Sequence, residues 1–264
     1  MSETQSMFNQ HLPPLAERIR PGNINQFVGQ EHLVGTEKIL SMVMEKEQPF
    51  SMMFWGPPGS GKTTLARIIA KTAGADIHKL SAVSSGVKDL RKVIRQGGKN
   101  KDLGRLTILF IDEIHRFSKS QQDSLLNAVE DGTVILIGAT TENPFFAVNK
   151  ALVSRSRIFT LLPLAENDLQ KIIQKVITHY TKQKNSKKVY LTQDAISHLI
   201  KFSNGDARTL INALEMAIET ISENDAKEIN INLSIAEDAI QKKNIVYDKN
   251  GQNHYDVISA FIKS

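Results

Sequence analysis

Two short stretches carry residue types that can do chemistry together. Gly56-Pro57-Pro58-Gly59-Ser60-Gly61-Lys62-Thr63 satisfies the spacing G-x-x-x-x-G-K-[ST], and Asp112-Glu113-Ile114-His115 closes an apolar run. The first is a phosphate cradle. Glycines let consecutive backbone N–H groups turn inward, a helix starting at Lys62 adds partial positive charge, Lys62 reaches the terminal phosphates, and the Thr63 hydroxyl is a magnesium ligand. Thr64 is placed to bond the inner phosphate. The second stretch supplies two carboxylates with separable jobs: Asp112 holds the magnesium shell through water, and Glu113 orients and polarises the attacking water. His115, a histidine beside a better base, is read as a packing or hydrogen-bonding residue. Spelled alone, Asp-Glu-x-His is also the box of nucleic-acid helicases, so the surrounding elements have to decide.

Those elements alternate. The runs 51–55, 77–80, 106–111, 133–139 and 157–162 are short, apolar and strand-like, and helical stretches separate them, which predicts a parallel sheet covered by helices on both faces. The phosphate loop follows the first run and opens a helix closed by Gly74. The acidic pair ends the third, at the carboxyl edge where such sheets place their chemistry. After residue 163 the pattern changes. Leu169, Ile172, Ile173, Val176 and Tyr180, then Leu210, Ile211, Leu214 and Ile218, follow helical spacing, and Ser234 with Glu237 has the form of a capping box. The expectation is an α/β P-loop core over 13–163, a small all-helical lid over 164–240, a flexible tail at 1–12, and at 241–264 the start of a truncated C-terminal helical domain.

A helicase of that box needs a second nucleotide-binding lobe of similar size, and the short helical stretch leaves no room for one. A GTPase would read guanine through N-K-x-D, and the nearest string, Asn149-Lys150-Ala151-Leu152, lacks the aspartate. ATP with Mg2+ is the expected ligand set, on the plan of the AAA+ ATPases. The absence of cysteine removes disulfides and thiolate metal sites. No apolar run is long enough to cross a bilayer and the N-terminal residues carry no signal pattern, so a cytoplasmic protein is expected. The net charge of +5 is local: Lys79 to Arg105 holds eight basic residues against Asp89 and Asp102. That stretch is either a solvated helix face or a contact for DNA phosphates, and Arg91 with Arg95 at i,i+4 suits both.

The stretches 17–35, FWGPPGSGKTTLA, ILFIDEIHRFSKSQQDSLLNAVEDG, LIGATTENPFF, LVSRSRIF and NGDARTLINALE together resemble the replication-associated recombination protein A family, relatives of the clamp loaders, from about residue 13 to the end. The resemblance implies a DNA-dependent ATPase of replication-fork maintenance, recombination and repair. It also implies nucleoid association, single-stranded, gapped or junction DNA and the single-strand binding protein as partners, and a homotetramer. The alternative is an ATP-binding switch or clamp-loader-like assembly subunit with slow hydrolysis. Arg20, Pro21, Phe27, Val28 and Gly29 resemble the segment lining the adenine pocket, and Thr141 and Asn143 fall where a first sensor is expected. Arg155 matches an arginine finger, with Arg157 as fallback, and Arg208 a second sensor reaching the γ-phosphate. Arg208 stands in the first turn of its helix, where a cation is disfavoured by about 0.3–1 kcal/mol, so another interaction must offset it; Asp206 is the bland candidate. The family continues into a tetramer-making helical domain, which puts oligomerisation of this chain in doubt.

Overall fold

The computed structural model describes residues 13–182, 188–222 and 228–248. The expected tail at 1–12 and the residues from 249 on lie outside them. In chain order the elements are α1 (Leu15–Arg18), α2 (Glu31–Val34), α3 (Ile39–Glu45), β1 (Met52–Trp55), α4 (Lys62–Thr72), β2 (Asp76–Ser81), α5 (Val87–Asp102) and β3 (Thr107–Asp112). Then follow α6 (Lys119–Asp123), α7 (Leu126–Glu130), β4 (Ile135–Thr140), α8 (Pro144–Ala147), α9 (Lys150–Ser154) and β5 (Arg157–Thr160). The rest are α10 (Glu166–Lys182), β6 (Lys188–Leu191), α11 (Gln193–Ser203), α12 (Ala207–Ser222), β7 (Glu228–Ile231) and α13 (Leu233–Asp248). Two compact units result. One comprises Pro21–Ile172 with Ile200–Leu210, the other the described residues of 1–20, 173–199 and 211–264. The packing therefore puts 164–172 and 200–210 with the sheet, where the sequence assigned them to a lid.

The first unit is built on a parallel sheet of order β2-β3-β4-β1-β5. Its central strands are continuously apolar because both faces are covered, and alternation splits them between two cores. Met52 and Phe54 of β1, Ile108 and Phe110 of β3 and Ile137 of β4 point to one side, against Leu65, Ile68 and Ile69 of α4. Met53, Leu109, Ile111 and Leu136 point to the other, against Leu90 and Val93 of α5 and Leu125 and Leu152. Because every strand is parallel, all carboxyl ends lie along one edge, where the loops after β1, β4 and β3 are neighbours in that order. Adjacent strands stand about 4.7–4.9 Å apart, so the loop after β1 and the residues after β3 face each other across about 10 Å.

In the second unit the all-helical expectation is corrected. Lys188–Leu191 and Glu228–Ile231 form a two-stranded parallel sheet, with Val189 opposite Ile229 and Leu191 opposite Ile231. Each strand is four residues of alternating exposure just ahead of a helix, too short for its period to stand out against the helical pattern on either side. The capping box is corrected too: α13 starts at Leu233 and the Asn232 side chain accepts the Ile235 N–H at 3.1 Å, so the cap lies two residues before Ser234. Glu215 of α12 ties down α1, accepting the Leu15 N–H and pairing with Arg18 at 2.8 Å.

Candidate active site

The loop after β1 turns through left-handed backbone at Gly59 (φ 66°) and Gly61 (φ 105°) and delivers Lys62 to the start of α4. Both glycines are also required by close neighbours. A Cβ on Gly61 would stand 2.8 Å from the Phe27 ring, and one on Gly59 would overlap the Asp206 carboxylate. Ser60 closes the turn, its Oγ donating to Pro57 O at 2.8 Å. The Lys62 side chain folds back across the loop, with Nζ donating to Gly56 O at 2.7 Å and Pro57 O at 2.8 Å. Burial is the main reason its ammonium is held below the usual lysine range, opposed by the charges of Glu113 and Asp112 and reinforced by Arg208. Among the described residues this buried cation has neutral carbonyls as its hydrogen-bond partners, and a phosphate chain would supply the negative charge they lack.

The acidic pair ends β3 as the register requires, with Asp112 opposite Ser81. Glu113 adopts left-handed backbone (φ 54°), and its Oε2 accepts from Thr141 Oγ1 at 3.3 Å. Of the two first-sensor candidates, Thr141 therefore touches Glu113, whereas the Asn143 side chain caps α8 by accepting the Phe145 N–H. His115 is not merely packed: its Nδ1 lies 2.8 Å from Thr140 Oγ1 and 3.4 Å from Glu113 Oε2. Among the described residues no three histidine or acidic side chains converge to hold a metal unaided. The oxygen donors present, the Thr63 hydroxyl and the Asp112 carboxylate, suit a magnesium ion that takes its remaining ligands from substrate phosphates and water.

The other predicted residues sort themselves by position. Phe27 packs on Gly61, Val28 is half-buried, and Gly29 (φ 80°) is buried against Leu164 and Asp168, so this segment lies beside the phosphate loop. Arg20 belongs to the other unit, where it pairs with Glu17 at 2.6 Å. Asp206 turns its carboxylate to the N–H groups of Arg208 and Thr209, at 2.7 and 3.0 Å. It thus offsets the helix-end charge that Arg208 meets without pairing with its guanidinium. Arg208 is exposed and, among the described residues, makes no ion pair, yet its charge is felt by Lys62. Arg155 donates to Ala151 O and pairs with Glu130, neither of them a P-loop residue, and Arg157 lies over the Phe50 ring at 4.6 Å.

Sequence reasoning missed Gln30. Buried and left-handed (φ 61°), it donates to Leu162 O at 2.7 Å and Ser60 O at 3.4 Å and accepts the Leu162 N–H at 2.9 Å. One amide thereby joins the phosphate loop to the segment leaving β5, and a lone glutamine gives no sequence signal for that. The cap made by Asp206 was readable, since an aspartate directly before a helix is a favoured N-cap. Outside this edge, α5 buries Leu90, Val93, Gly97 and Asn100 and exposes Lys88, Arg91, Lys92, Arg95 and Lys99. Among the described residues none of these five cations is in an ion pair.

Comparison with known proteins agrees with this geometry. Residues 52–164 match the ATPase family associated with various cellular activities (AAA), and residues 184–264 match the AAA C-terminal domain. The chain is 41% identical to replication-associated recombination protein A of Escherichia coli K12 over 95% of its length, and 43% identical to that of Coxiella burnetii over 97%. It belongs to the replication-associated recombination protein A family. It covers 56% and 58% of those two relatives, so it spans little more than half of their length. Among solved structures, the RuvB Holliday junction branch migration motor of Thermotoga maritima superposes with a TM-score of 0.66 at 28% identity, over 84% of this chain and 72% of that one. Membership of this family makes the chain a P-loop ATPase of the AAA+ class with the parallel-sheet core described above. No helix among the described residues is long and apolar enough to cross a membrane.

Proposed function

We propose that this chain hydrolyses MgATP and uses the cycle to remodel or move on DNA during replication-associated recombination and repair. The observation that carries the hydrolytic part is that a buried Lys62 feels the charges of the Asp112–Glu113 carboxylates along one sheet edge. Lys62 binds the terminal phosphates, exchanging its two carbonyl partners for charged oxygens. Thr63 and Asp112 hold Mg2+, which neutralises charge building on the phosphates when bound. Glu113 takes the proton of the attacking water, and Thr141 holds that carboxylate in place. Arg208 reaches the γ-phosphate as a sensor, and Arg155 serves the nucleotide of a neighbouring copy.

The names of the relatives and of the RuvB motor support a role on DNA, and the unpaired cations of α5 offer a surface for its phosphates. Assembly is supported by the face around α8 and α9. There Phe145 is 58% and Phe146 88% exposed, and a cleft of about 550 Å³ lined by Phe145, Val153 and Ile158 opens close to Arg155 in sequence. A homotetramer, single-stranded or junction DNA and the single-strand binding protein complete the proposal, with the nucleoid as its place of work. Phosphate release measured with MgATP, alone and with single-stranded or branched DNA, is the test: turnover stimulated by DNA is the expected result. Tight ATP binding without turnover under any condition would instead establish the switch reading.

A further inference from the structure

The surroundings of Glu113 are more elaborate than a solvent-exposed base requires. Its left-handed backbone is strained for a residue other than glycine and persists only where neighbours over-determine it. Both contacts to its carboxylate fall on one oxygen: Thr141 Oγ1 at 3.3 Å and His115 Nδ1 at 3.4 Å both approach Oε2. The His115 side chain is 7% exposed, and its ring meets an oxygen at each nitrogen, with Nε2 lying 3.4 Å from Glu142 Oε1.

The donors and acceptors around the ring fix the arrangement. Thr140 Oγ1 accepts the Glu142 N–H at 3.0 Å and gives its own proton to Glu142 O at 3.2 Å. It then has a lone pair but no proton for His115 Nδ1 at 2.8 Å, so Nδ1 carries the N–H and presents it between Thr140 Oγ1 and Glu113 Oε2. We propose that His115 is a positioning residue for Glu113, its ring clamped by Thr140. The proposal rests on Glu113 acting as the base of the ATPase.

The test uses this chain with MgATP and DNA, reading kcat, KM, nucleotide affinity by titration, and melting temperature. His115→Ala should lower kcat by about ten- to a hundredfold, the effect of a displaced base, with nucleotide affinity changed by less than about twofold. His115→Asn returns a donor near the Nδ1 position and should recover most of the rate, whereas His115→Gln, whose amide reaches the Nε2 side, should not. An unaltered kcat in His115→Ala overturns the proposal. So does a loss shared equally by kcat and affinity with a lowered melting temperature and no rescue, which marks a structural staple between the turn after β3 and the end of β4. If His115→Ala does not fold, the amide pair decides: Asn faster than Gln supports the assignment, and equal or reversed rates overturn it. A parent chain with no turnover overturns the ATPase reading and this inference with it, while a turning-over parent matched by His115→Ala overturns the inference alone.

Discussion

At the scale of single residues, binding and turnover separate cleanly. Glu113→Gln keeps Lys62, Thr63 and Asp112, so it should bind MgATP as the parent does while losing about a hundredfold or more of its rate. Lys62→Ala should weaken binding itself by about ten- to a hundredfold, the worth of a charge-assisted hydrogen bond. Nucleotide titration beside phosphate release distinguishes the two, and parental turnover in Glu113→Gln would remove Glu113 from its role. Lys62 also predicts a pH dependence. Burial lowers its pKa from 10.5 in the empty chain, and bound phosphates should raise it again. Affinity is therefore complete below the depressed pKa and should fall as pH rises from there toward the pKa of the complex. For folding the sign reverses: between the depressed pKa and 10.5 the unfolded chain holds the extra proton, so the stability of the empty chain rises with pH in that window. Titrations at stepped alkaline pH check both; affinity that is flat or rises there contradicts the placing of Lys62 on the phosphates. The cradle and the acidic pair were legible in the sequence because backbone conformation and strand position dictate them. Gln30's bonds to Leu162 and the bond of His115 to Thr140 were not, since they join residues 132 and 25 positions apart that meet only in space.

At the scale of elements, α5 carries the sharpest expectation. Residues 88, 92, 95 and 99 repeat at helical spacing on the face opposite Leu90, Val93 and Gly97, so consecutive cations rise by about 4.5–6 Å along the helix. Replacing Arg91 and Arg95 together by glutamine should weaken DNA binding and flatten its salt dependence by about one unit for each phosphate that is no longer neutralised, read from affinities across a salt series. An unchanged slope would return α5 to an ordinary solvated face. The sheet was legible at this scale: the five apolar runs fall within two residues of β1 to β5, and the central β1, β3 and β4, buried on both faces, give the most nearly uninterrupted apolar sequence. The parallel pair β6–β7 was not, because four residues flanked by helices hold barely one buried position for each exposed one. Nor was the true cap of α13, since Asn232 and Ser234 are both good cap residues and only the course of the chain out of β7 chooses between them.

At the scale of the whole molecule, the proposed finger needs company. Arg155 lies exposed with Glu130 as its partner, so in an isolated chain its charge is neutralised locally. Fingers supplied by a neighbour are worth on the order of 10³–10⁵ in rate, so turnover per chain should be low when dilute and rise with concentration. Glu113→Gln keeps a finger without a base, and Arg155→Ala a base without a finger; under conditions that force assembly their mixture should recover activity that neither has. Mixed oligomers that stay inactive, or full activity in a dilute monomer, would exclude Arg155. The strand order has a further consequence, for the chain as it is made. The strand that carries the phosphate loop pairs only with β4 and β5, which end at Thr140 and Thr160. At about 5–20 residues per second, a ribosome needs roughly 5–20 s to travel from Trp55 to Thr160. Until β4 is made Met52–Trp55 is an unpaired, wholly apolar segment, and until β5 follows one of its edges stays open; no nucleotide can rescue it, because the edge that would bind ATP does not yet exist. The nascent chain is thus open to misassociation at a segment whose Met52, Met53 and Phe54 are fully buried once the sheet is complete.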